Sequence, residues 1–256
     1  MTRILAGFAI IIAVFSGAGW LTLQRVKGET IQTSNHQVAG AQDSIVDEQP
    51  TPEPVTYDID SPTSLTVIVN KLRPLPQDYR APDLIAPAVT LHQAASAENM
   101  QVRQIMEADL IRLFADAAAA GIQIEVGSAY RSAATQKSLY NGYVASSGQA
   151  YADLTSARPG YSEHQTGLSI DFVASSGACF IEQCFADQPE GQWLAAHAHE
   201  YGFVLRYPLN KTSVTGYDFE PWHFRYLGID IATSIYQQDI TVEEFFGLPP
   251  APDYAP

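Results

Sequence analysis

Apolar positions along the chain fall first into one unbroken block, then thin out across a polar stretch, and finally recur at helix and strand periods. The block runs from Ile4 to Leu23 without a charge, between Arg3 and the pair Arg25 and Lys27. It is about long enough for a helix to cross a hydrocarbon core of roughly 30 Å. Two readings fit residues 1–27. A cleaved signal peptide would use Ile4 to Phe15 as its apolar segment and Ser16-Gly17-Ala18 as its cleavage site. A retained membrane anchor would use the whole run, with Trp20 near one interface. Either one exports the remainder. Residues 28–60 are polar and contain Gln49-Pro50-Thr51-Pro52-Glu53-Pro54. That composition predicts a flexible linker, because it buries too little surface to offset the entropy of ordering.

Residues 61–248 carry the folding pattern, with 249–256 left as a tail. Leu65 to Val69 reads as a short strand. Apolar residues at three- and four-residue spacing (Met106, Leu110, Leu113, Ala117) predict a helix over 97–120, closed by Gly121. Ile122 to Val126 alternates like a half-buried strand, and Ala133 to Ser146 reads as a helix. Leu168 to Val173 alternates again, with Asp171 on one face. A helix over 193–201 ends at Gly202 and is followed by a strand over 203–207. A last strand, 220–226, sets Trp222, Phe224 and Tyr226 opposite His223 and Arg225, before a helix over 228–237. Strands and helices mix without strict alternation. The prediction is a single α+β domain: a small, mainly antiparallel sheet flanked by helices.

Composition narrows the function. The 256 residues carry a formal net charge of −14 and a sequence pI near 4.6. So acidic a chain is a poor partner for nucleic acid or anionic lipid. Its two cysteines, Cys179 and Cys184, are a short-spaced pair in an exported chain, which predicts a disulfide that braces the loop after Asp171.

The candidate chemistry lies in two clusters, Ser162 to Asp171 and Glu220 to His223. They supply two imidazoles, one carboxylate able to bind a metal and one more beside it. Those are the parts of a hydrolytic zinc site: three protein ligands, an open position for water and a base for its proton. Taken singly, each residue has an ordinary reading. A His and an Asp seven positions apart are more often core or surface groups, a His beside Trp in a strand is often simply packed, and a lone Glu is usually a surface ion-pair partner. Their joint occurrence is what points to a metal. His197 and His199, two apart on a helix, diverge by about 200° and should not share one. Arg131, at a strand end, could grip a terminal carboxylate with its fork or form a structural ion pair. Gln136, five residues on, could face the same cleft.

The ordered motifs Ser128-Ala129-Tyr130-Arg131-Ser132 with Gln136, Ser156 through Phe172, and Glu220-Pro221-Trp222-His223-Phe224-Arg225-Tyr226 resemble those of the VanY-type carboxypeptidases of the bacterial cell wall, which are M15 metallopeptidases. The likeness spans roughly residues 65–246. It implies zinc held by His164, Asp171 and His223, with Glu220 as catalytic base and with Arg131, Gln136 and Ser162 positioning a peptidoglycan stem peptide. The implied activity is removal of the C-terminal D-alanine outside the cytoplasm. Alternatives within the same scaffold are an LD-carboxypeptidase acting on tetrapeptide stems and an endopeptidase cutting cross-links. A further alternative is a non-catalytic wall-binding module.

Overall fold

The computed structural model describes residues 56–255. The signal or anchor assigned to 1–27 lies outside the described residues, as does the linker up to residue 55. Among the described residues, no helix is long and apolar enough to cross a membrane. In chain order the elements are β1 (Leu84–Ile85), β2 (Val102–Arg103), α1 (Glu107–Ala119), β3 (Ile124–Ser128), α2 (Ala133–Ser147) and α3 (Gln149–Thr155). Then follow β4 (Ser169–Ala174), α4 (Pro189–His197), β5 (Phe203–Leu205), α5 (Thr212–Thr215), β6 (His223–Tyr226), α6 (Ile229–Gln238) and α7 (Val242–Phe245).

The main sheet has four strands in the order β3-β4-β6-β5, every pair antiparallel, and β1 and β2 form a separate antiparallel pair. Helices cover the sheet, so the predicted α+β architecture is the one observed. Side chains alternate across a strand with period two, and this alternation divides the sheet into a core face and a site face. Ile124, Val126, Ile170, Phe172, Ala174, Phe203, Phe224 and Tyr226 meet Leu110, Leu113 and Ala117 of α1 and Leu194 of α4 in one buried cluster. The intervening residues of β4 and β6 (Ser169, Asp171, His223, Arg225) point the other way and are also buried. Polar residues under cover on one face of a small sheet mark where the chemistry lies.

Several predicted boundaries move. Leu65 to Val69 forms no ladder. Its backbone groups find other partners: the Leu65 and Val67 carbonyls accept from Arg225 Nη2 at 3.0 and 2.8 Å, and the Ile68 N–H donates to the Ile59 carbonyl at 3.1 Å. The run therefore begins in a turn at Leu65 and Thr66 and continues through buried Val67, Ile68 and Val69, fixed by an arginine side chain. The helix predicted from residue 97 begins at Glu107, because Val102–Arg103 is diverted into the pair with β1. The short helices α3 and α7 carry too few turns to show a period. The fold also reaches beyond the predicted limits at both ends. The Tyr57 ring packs on Phe245 and Phe246, so residues 56–60 belong to the domain and not to the linker. Residues 249–255 are no free tail: Ala251 is fully buried, Pro252 O accepts from Lys71 Nζ, and Tyr254 Oη accepts from the Arg158 N–H.

Candidate metal centre and active site

Asp171 and His223 meet because they are direct partners across the β4–β6 ladder, on the site face. Asp171 Oδ1 lies 3.0 Å from His223 Nδ1. His164 arrives from a 3₁₀ turn, Glu163–Thr166, which ends at Gly167 in the left-handed region (φ +69°). A Cβ at Gly167 would approach Leu84 Cδ2 to 2.9 Å, so both conformation and space call for glycine there. The His164 Nδ1–H donates to the Ala129 carbonyl at 2.6 Å, and this turns Nε2 inward, 3.3 Å from Asp171 Oδ2. The two imidazoles stand edge to face with centroids 4.8 Å apart.

A register shift between β3 and β4 completes the frame. Pairing slips between Val126 and Ser128, so that Ser128 faces Asp171. Gly127 sits at the slip, and a Cβ on it would lie 2.6 Å from Val173 Cγ1 and 3.1 Å from the Asp171 carbonyl. β3 therefore presses close enough for Arg131, just beyond its end, to reach the centre. Arg131 Nη2 lies 3.7 Å from Asp171 Oδ2 and donates to Ser128 Oγ at 3.3 Å, while Nη1 donates to Gln136 Oε1 at 2.8 Å.

One ligand atom from each of His164, Asp171 and His223 falls within 4.8 Å of the others, all three residues buried. Two imidazole nitrogens and a carboxylate oxygen suit a borderline divalent cation such as zinc. The residues present thus fit a metal. Glu220 stands at the side of this trio, Oε2 3.9 Å from His223 Nδ1, its side chain 13 % exposed toward the cleft. Burial pushes the Glu220 carboxyl up to about 8, Asp171 adding to the shift and His223 and Arg131 opposing it. Burial also works against the charge on Asp171, yet His164 and His223 outweigh it and hold that carboxyl below the usual range. For His223, burial disfavours the cation, but the hydrogen bond to Asp171 and the nearby Glu163 carboxylate prevail and push it up to about 9. So dense a set of displaced titrations in a cleft is typical of a functional site.

The cleft above these groups has a volume of about 190 Å³ and is lined by Arg131, Ser162, Tyr207, Tyr217, Glu220 and Trp222, among others. Ser162 is thus at the cleft, as the sequence suggests. Gln136 is not: it is buried behind Arg131, its amide donating to Ser156 Oγ at 3.1 Å and to the Ala157 carbonyl at 2.6 Å. It orients the arginine and offers no free polar atom to the cleft. Cys179 and Cys184 are disulfide-bonded, and the loop they close brings Ile181 to the cleft wall.

Sequence reasoning passed over Glu163, Tyr207 and Tyr217. Glu163 is fully buried between Arg206 and Arg225, which lie 43 and 62 residues away in the chain. No local spacing reveals such a pairing.

A four-stranded antiparallel sheet sets two histidines, an aspartate and a neighbouring glutamate at the floor of a cleft, and the relatives of this chain make the class a peptidase. Residues 99–229 match the family profile described as VanY, D-alanyl-D-alanine carboxypeptidase. The chain belongs to the VanY family of M15 carboxypeptidases. It is 37 % identical over 191 residues to YodJ of Bacillus subtilis, covering 73 % of this chain and 69 % of that one. Among solved structures it resembles the LD-carboxypeptidase LdcB, with a TM-score of 0.69 and 35 % identity over 73 % of this chain and 87 % of the other. It also resembles the vancomycin-resistance D,D-pentapeptidase VanY of a VanB-type cassette, solved with Zn(II), with a TM-score of 0.57 and 32 % identity over 70 % and 97 % of the two chains.

Proposed function

We propose that this protein is a zinc-dependent carboxypeptidase that removes the C-terminal D-alanine from peptidoglycan stem peptides outside the cytoplasm. One observation carries the reading: three metal-binding atoms and a separate carboxylate converge at the floor of a single cleft. His164 Nε2, an Asp171 oxygen and His223 Nδ1 would hold the ion. A divalent cation held there would supply Lewis acidity toward the attacked carbonyl and the attacking water, and beside such a charge the Glu220 carboxyl would be favoured in its ionised form. Glu220 takes the proton of that water and passes it to the leaving amine, a role suited to a carboxyl whose surroundings raise its affinity for protons. The family match and the Zn(II)-bound relative support both the metal and the bond.

Arg131 lies close enough to Asp171 to act at the reacting centre. Its fork, held by Gln136 and Ser128, lies at the cleft wall, where it would stabilise negative charge growing on the carbonyl oxygen. Arg131→Ala is therefore expected to lower kcat about 10²–10³-fold with a smaller change in KM, as loss of a preorganised donor does. A rise confined to KM would instead place the guanidinium on the terminal carboxylate.

The likeness to LdcB favours a second reading, cleavage of the tetrapeptide stem between L- and D-residues. Incubating the enzyme with purified penta- and tetrapeptide stems and weighing the products separates the two. Loss of one alanine from the pentapeptide alone supports the proposal. Loss from the tetrapeptide alone supports the alternative, and an internal cut would overturn both.

A further inference from the structure

Beneath the metal centre lies a group of charges for which hydrolysis has no direct use. Glu163, Glu243, Arg206 and Arg225 are all buried, their side chains fully covered wherever they pair. Two anions and two cations balance. Arg206 bridges the two carboxylates, giving Nε to Glu163 Oε1 at 2.9 Å and both terminal nitrogens to Glu243 at 2.9 and 2.6 Å. Arg225 Nη1 also donates to Glu163 Oε1, at 3.2 Å.

Both arginines therefore load one oxygen of Glu163. The other, Oε2, has only the Ser169 hydroxyl at a long 3.4 Å. It faces His223 Nε2 at 3.7 Å, and that buried ring nitrogen has no hydrogen-bond partner among the described residues. The opposite ring nitrogen, Nδ1, is the one beside Asp171 and Glu220. An under-used anionic acceptor thus lies against an orphaned ring nitrogen, on the side of the imidazole opposite the nitrogen beside Asp171 and Glu220.

We infer that Glu163 is a positioning residue for the metal: it accepts the Nε2–H of His223, fixing the tautomer that leaves Nδ1 free to bind the ion. The inference rests on the proposed metal site and adds to it a partner beneath the ligand. A carboxylate in that place orients the ring and makes its free nitrogen a better donor, and loss of such a partner typically costs about 10–100-fold in metal affinity. The arginine pair keeps Glu163 ionised and anchored, so that one oxygen remains aimed at the ring.

Two variants and one spectrum of the unmodified protein test this. Zinc affinity is measured first on the unmodified full chain by competition with a chromogenic chelator. Failure to bind zinc there would sink the metal reading itself, before the role of Glu163 arises. Glu163→Gln is then expected to weaken zinc binding about 10–100-fold. That change alone leaves a buried net positive charge, which can destabilise the fold. The double variant Glu163→Gln/Arg225→Met restores balance, with Arg206 and Glu243 left as a pair. It is expected to recover thermal stability toward that of the parent while zinc binding stays weak. Recovery of zinc affinity together with stability would show that Glu163 serves the fold alone, and would overturn the inference. If neither variant folds, nitrogen-15 spectra of the unmodified zinc-loaded protein decide. The inference requires the His223 proton on Nε2, and a proton on Nδ1 contradicts it.

Discussion

Replacing Glu220 with glutamine is expected to lower kcat by about 10²–10⁴-fold while bound zinc stays at one equivalent. The substitution keeps the shape of the side chain and removes its ability to take a proton. Glu220 is 3.9 Å from His223 Nδ1, near the trio but outside the set of atoms that converge on it, so the metal should not depend on it. KM should change little, because the residue works on the proton and leaves binding of the peptide to the rest of the cleft. Parallel metal analysis and steady-state kinetics of the variant check this. Turnover near that of the parent would remove Glu220 from the role of base, and loss of zinc would make it a ligand.

His164→Ala should behave in the opposite way, losing metal and activity together. His164 would be one of three protein donors, and its ring is held by the Ala129 carbonyl on one side and aimed at Asp171 on the other. Alanine leaves an imidazole-sized gap under cover and two donors to hold the cation. Zinc affinity should fall by more than the roughly 100-fold upper range seen when only the hydrogen-bond partner of a ligand is lost. Excess zinc should then restore little turnover. Chelator competition and a zinc titration of activity read the two effects separately. Full activity at one equivalent of zinc would contradict the ligand set.

These two variants separate the ligand cluster from the base, a division the sequence already suggests from Ser162–Asp171 and Glu220–His223. The α+β class, the alternation in 168–173 and in 220–226 (of which His223–Tyr226 forms β6), and the short-range disulfide were all legible, because each is governed by neighbours in the chain. The contact between Asp171 and His223 needed the β4–β6 register, which no local pattern supplies. Gln136 shows the limit in another way. The sequence set it with Arg131 at the cleft, whereas its polar atoms are used up behind the arginine. Leu65 to Val69 has the composition of a strand, and a distant arginine occupies the carbonyls a partner strand would have bonded. Glu163 was hidden for the same reason: its meaning comes from Arg206 and Arg225, and only the closed fold brings them to it.

The central claim, a metal-dependent carboxypeptidase built on His164, Asp171 and His223, is tested most directly by the products of metal-free and zinc-restored protein acting on one stem pentapeptide. Mass analysis should find the peptide intact with the metal-free protein and shorter by a single alanine after one equivalent of zinc is returned. Release of alanine without metal, or an intact peptide in the presence of zinc, would contradict the account.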